Sequence, residues 1–162
     1  MCEGIIWYMC VPFWLRLLVP ALMVIVAVTV TQYIFHKNAR LRENRERQLK
    51  IIDKAAEEIK SAQIDCLKYV IGGHNENPIS LYSDIIIGVA HIPRSVKAYI
   101  KSDIFHTIEE FTSTLITDLK EIHRQKLQNE KPNKTVTDRS SMAFVEITDL
   151  LRLAHLIAEK EG

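Results

Sequence analysis

The stretch "RLLVPALMVIVAVTVTQYIFHKNARLRENRER", residues 16–47, decides how the rest of the chain is read. From Leu17 to Phe35 it holds no Asp, Glu, Lys or Arg. At about 1.5 Å of rise per helical residue, those positions cover roughly 28 Å, close to the hydrocarbon thickness of a bilayer. Leu, Ile, Val and Phe dominate the run. Together they favour insertion by about 3–7 kcal/mol, from which Thr29, Thr31 and Gln32 subtract. Pro20 falls in the first turn, where a missing N–H costs least. The pattern predicts a transmembrane helix over residues 17–35.

A cleaved signal peptide fits less well. The apolar run is longer than the usual 7–15 residues of a signal core, no basic segment leads it, and no small-residue cleavage pattern precedes the arginines. Residues 1–16 read as an interfacial segment. Trp7, Tyr8, Phe13 and Trp14 suit the headgroup level, and Arg16 can reach it by extending its aliphatic stem. Its apolar part, Ile5 to Trp14, is too short to cross a bilayer as a helix, and a longer, tilted span starting near Ile5 is the alternative.

Charge asymmetry gives an orientation. Arg16 and Glu3 stand before the span, whereas Lys37, Arg40, Arg42, Arg45, Arg47 and Lys50 follow it. Basic residues are retained on the cytoplasmic side, so the N-terminus is expected outside and everything after residue 36 in the cytoplasm. Residues 36–50 read as a basic juxtamembrane stalk, whose Lys and Arg side chains also suit anionic headgroups.

The chain has 162 residues, and its 21 Lys and Arg against 20 Asp and Glu leave a net charge of +1. A nearly balanced charge lacks the basic footprint of a nucleic-acid binder. Cys2, Cys10 and Cys66 have neither metal-site spacing nor an even count for a disulfide framework. Cys66 reads as a buried apolar residue. Residues 51–162 suffice for one compact domain.

Within that domain the periodicity is helical. Ile52, Ala55, Ile59, Ala62, Cys66 and Tyr69 follow steps of three and four, the narrow stripe of a packing helix. Ile52 and Ile59 are the candidate interaction residues on it, and the small residues at 55 and 62 permit close approach of another helix, in this chain or a second copy. Gly72 and Gly73 close the helix, and "GGHNENP" reads as a loop. Asn77 and Pro78 open a short helix to about Ala90. Its "DIIIGVA" also suits a buried strand, but no partner strand exists elsewhere. Pro93 marks a boundary or kink, and from Arg94 a long helix carries Val96, Ile100, Ile104, Ile108, Phe111, Leu115, Leu119 and Ile122 inward. Residues 126–138 read as a hydrophilic loop too polar to pack. Asp138 or Ser140 caps a last helix with Ala143, Ile147, Leu150, Ala154 and Ile157 inward. The expected fold is all-α: an anchor helix continuing into a stalk, then a small antiparallel bundle.

Catalytic patterns are weak. Asp103, His106 and Glu110 share a helical face, but Ile104, Ile108 and Phe111 claim the core and turn that face to solvent. His123 and His155 read as single surface or boundary histidines, and His74 beside Glu76 as a turn residue. No phosphate loop, zinc-protease motif, nucleophile elbow or Cys/His framework is present. The expectation is a non-enzyme without cofactor or metal, partnered by the bilayer, an unidentified protein and a possible second copy of itself. Two functions fit: a membrane-anchored helical module that recruits, inhibits or assembles a partner, or a membrane-active oligomeric effector whose span perturbs the bilayer. "NKT" at 133–135 matches a glycosylation acceptor that a cytoplasmic domain leaves bare.

Overall fold

The structure, a computed structural model, describes residues 13–71 and 78–160. Among these residues every regular element is a helix: α1 (Phe13–Ile71), α2 (Pro78–Val96), α3 (Ser102–Leu127) and α4 (Lys134–Lys160). Trp7, the two N-terminal cysteines, the Gly72–Gly73 pair, His74, Glu76 and the Asn77 cap lie outside the described residues. The chain divides into two units, Met1–Asn44 and Arg45–Gly162.

In the first unit, α1 is long and apolar enough to cross a membrane. Its apolar side chains are uncovered on every side, from Leu18, Val19 and Leu22 to Ile34 and Phe35. The Thr29 hydroxyl donates to the Ile25 carbonyl (2.7 Å) and the Thr31 hydroxyl to the Ala27 carbonyl (2.8 Å). Both are thus satisfied within the helix.

In the second unit, the remainder of α1 is one-sided. Ile52, Ala55, Ile59, Ala62, Cys66 and Tyr69 are all buried, and they share a continuous core with α2, α3 and α4. Contacts between neighbours run in opposite directions. Asp53 meets His155 and Arg45 meets Ala158 on α4. Glu58 meets His91 and Tyr69 meets Tyr82 on α2. Tyr82 meets His123 at one end of the α2–α3 pair, and Lys97 meets Phe105 at the other. Asp118 meets Arg139 across α3 and α4. The result is an up-and-down antiparallel four-helix bundle, and "DIIIGVA" is helix.

Three expected boundaries move. The break expected near Pro93 falls instead at residues 97–101, because Ile85, Val89, Ile92 and Val96 form one fully buried stripe along α2. Each such side chain gains about 1.5–3 kcal/mol by burial, so Ile92 and Val96, which bury only if the helix continues, offset the cost of about 3 kcal/mol for an interior proline. The corner is held by the Tyr99 N–H donating to the Val96 carbonyl (2.8 Å), and by the Gln48 side-chain amide donating to the Tyr99 carbonyl.

The polar loop is shorter than expected and it packs. Asn129 adopts the left-handed conformation (φ 55°) after α3. The Asn129 N–H then reaches the Lys126 carbonyl (3.0 Å) and the Glu130 N–H the Gln125 carbonyl (2.9 Å), the paired bonds of a Schellman close. The Gln125 side chain accepts the Asn133 N–H (2.7 Å), joining the end of α3 to the start of α4. Asn133, not Asp138 or Ser140, caps α4: its Oδ1 accepts the Thr135 N–H at 2.9 Å.

Finally, the expected inner stripe of α4 is broader. Phe144, Leu151 and Ala158 are buried beside Ala143, Ile147 and Ala154, while Leu150 and Ile157 sit at its edge.

Ile59 is completely buried. Ile59→Ala should therefore cost about 2–5 kcal/mol in chemical denaturation, and Ile59→Asp should prevent the bundle from forming. Asn133→Ala should cost about 1 kcal/mol, an effect absent if Asp138 were the cap.

Candidate functional site

The residues singled out in the sequence separate into three environments. Trp14 and Arg16 lie in the first turns of α1. Lys37, Arg40 and Arg42 are exposed on the same helix, as is Arg47. Arg45 is different: its Nε–H donates to the Ala158 carbonyl (3.2 Å), at the C-terminal end of α4. A cation there donates to a carbonyl of the last turn and meets the negative end of the helix dipole. Arg45, Gln48 and Leu49, read as solvated stalk, thus belong to the packed unit. Ile52 and Ile59, read as interaction candidates, are core residues at 1% and 0% exposure.

A polar cluster that joins three helices has no counterpart among the sequence expectations. Tyr69 from α1, Tyr82 from α2 and His123 with Lys126 from α3 converge near one end of the bundle. The Tyr82 and His123 rings stack at 3.9 Å and 6°. Tyr69 Oη lies 2.6 Å from His123 Nδ1, sharing one hydrogen bond. Lys126 Nζ sits 4.5 Å from the Tyr69 ring centre and donates to the Tyr69 carbonyl, capping α1 as Arg45 caps α4. Burial pushes the Cys66 thiol up to about 11, against the opposing charge of Lys126, so it stays a protonated packing residue. Burial also raises both tyrosines and lowers His123 and Lys126. A neutral imidazole stacked on one phenol and hydrogen-bonded to another is a packing and hydrogen-bonding element that joins three helices. The available clue is Tyr69 on the buried stripe of α1; nothing in the sequence marks its partner His123, 54 residues away.

No protein-family model, curated protein or solved structure matches the chain.

Elsewhere, Asp103, His106 and Glu110 are exposed on α3. His155 Nδ1 lies 2.8 Å from Asp53 Oδ1, a close approach of α4 to α1 that lacks hydrogen-bond geometry. Asp118 is a buried carboxylate gripped by the Arg139 guanidinium, Nε to Oδ2 at 2.7 Å and Nη2 to Oδ1. Between α2 and α3 lies an open groove lined by Pro93, Arg94, Thr112, Ser113 and Lys120. In it the Thr112 hydroxyl is buried without a hydrogen bond.

The lowered His123 pKa sets a pH dependence. Its neutral form is favoured in the fold, so on acidification the unfolded chain takes up the proton first, near pH 6.5. The stabilisation is complete above that value and is lost as pH falls toward the folded pKa. The difference in Tm between the parent chain and His123→Gln should shrink from about pH 7.5 to about pH 5.5. A constant difference across that range would show that His123 is not held neutral by its surroundings.

Proposed function

We propose that this chain is a single-pass, membrane-anchored helical interaction module, in which the span holds a rigid bundle at the cytoplasmic surface to recruit or assemble a protein partner without catalysis. The observation that carries this reading is the change of environment along α1. Its side chains are apolar and uncovered on every side over residues 18–35, then buried along one stripe over residues 52–69. An apolar helix without protein cover is stable only in an apolar solvent, and length and composition match a bilayer. The basic residues after the span support the inward orientation of the bundle.

The internal hydrogen bonds of Thr29 and Thr31 favour a passive anchor over a membrane-perturbing effector. A span that lines a water-filled assembly presents polar groups to it; these two hydroxyls are already satisfied and can face lipid. The investment of the second unit in a complete core also supports a module whose surface does the work.

In intact cells an impermeant thiol reagent should label Cys2 and leave Lys120→Cys, an exposed position of α3, unlabelled until the membrane is opened. Labelling at position 120 from outside would reverse the topology. Expression of the full chain should leave the membrane potential unchanged; depolarisation would favour the effector reading.

A further inference from the structure

Helix α4 carries two apolar stripes. The inner one, including Ala143, Phe144, Ile147, Leu151 and Ala154, is buried in the bundle. On the other side Met142, Val145, Leu153 and Leu156 are exposed at 66%, 51%, 47% and 44%. At about 100° per residue, these four and Asp149 fall in a sector about 80° wide, centred about 170° from the inner stripe. Four large apolar side chains aligned away from the core demand an occupant more than scattered ones do.

Their order is symmetric. Starting from Met142 the steps are three, four, four and three, so the stripe reads the same in both directions about Asp149. A two-fold contact requires that if one residue meets another, the second also meets the first on the opposite half. Two antiparallel copies of α4 crossing at Asp149 satisfy this throughout: Met142 faces Leu156, and Val145 faces Leu153, each twice. The exposed charges follow the same symmetry. Asp138 and Lys160, equidistant from Asp149, face one another across the axis. Arg152, one turn along, is within reach of the partner copy's Asp149 and offsets the two carboxylates that meet near the axis. A parallel pairing would instead set Asp138 against Asp138 and Lys160 against Lys160. An anionic membrane surface would meet Asp138, Glu146 and Asp149 on this same side.

We propose that the outer face of α4 is a self-association surface on which a second copy of this chain docks antiparallel, across a two-fold axis at Asp149. It rests on the reading of the domain as an interaction module and names one partner and one surface for it. Because the geometry concerns α4 alone, it is testable in detergent, apart from topology and from any other protein.

The experiment is oxidative crosslinking of the full chain in detergent micelles, in a Cys2→Ser, Cys10→Ser background that keeps the buried Cys66. Asp149→Cys should form a disulfide-linked dimer with itself. Met142→Cys and Leu156→Cys should each stay monomeric alone and crosslink when mixed. Ser113→Cys, exposed on α3, sets the background. Crosslinking of Met142→Cys to itself would establish a parallel contact and overturn the proposal, as would yields at the Ser113 background for all three positions. In the parent chain, Leu153→Asp should weaken self-association about tenfold or more in sedimentation, the effect of losing a central contact. Unchanged association in that variant would also overturn it.

Discussion

The seam of α1 from Ile52 to Tyr69 is the constraint on which the second unit depends. Each of the other three helices must bury its own apolar stripe, and all three stripes meet the same core. Ala55 and Ala62 keep the seam narrow enough for backbones to approach, while Ile52 and Ile59 fill the space between. Hydrophobic burial is non-directional, so this seam alone would tolerate several arrangements of α2, α3 and α4. Directionality comes from polar contacts placed at helix ends. Arg45 reaches the last turn of α4, Lys126 reaches the last turn of α1, and Gln48 holds the corner between α2 and α3. Each supplies a donor to a carbonyl in the last turn of a helix or in a turn, where backbone acceptors most often need one.

Such clamps explain why helix identity was readable in the sequence and helix boundaries were less so. The 3.6-residue period marks a buried stripe wherever it occurs, and the stripe of α1 was legible in full from Ile52 to Tyr69. Boundaries depend on which competing local preference the tertiary contacts favour. Pro93 is a strong local stop signal, yet Ile92 and Val96 bury only if the helix continues through it. Conversely, "KAYIK" at 97–101 contains neither Gly nor Pro and still turns, held by Gln48 from half the domain away in sequence. Asn129 performs the left-handed close that glycine usually supplies, so the end of α3 gave no glycine signal.

The candidate sites were legible to a different degree. Exposure of Lys37, Arg40 and Arg42 follows from their charge, but charge does not distinguish them from Arg45, which turns inward because the end of α4 lies beside it. The Tyr69–Tyr82–His123 cluster joins three helices, and no single helix signals it. Asp118 reads as a surface acid by composition, and only Arg139 from α4 makes its burial tolerable. A buried carboxylate with one specific partner fixes how α3 and α4 slide past each other more sharply than leucines can, because a shift of one turn would leave the charge unpaired.

The outer face of α4 inverts that logic. Inside the bundle, polar contacts select one arrangement among several that the apolar core would accept. On the outside, the apolar spacing itself is selective, because a stripe symmetric about one residue matches itself in only one antiparallel register. Sliding two copies by one turn would place Met142 and Leu156 against charged neighbours and separate Asp138 from Lys160. In the proposed contact the central position is an aspartate rather than a leucine, which would lower the attraction between copies and leave Arg152 to offset the repulsion. A leucine at that position would strengthen the contact and extend the exposed apolar patch of each single chain, with the aggregation risk that follows. Asp149 therefore suits a contact that forms and separates, since each copy keeps a solvated charge in the middle of the face when it is alone.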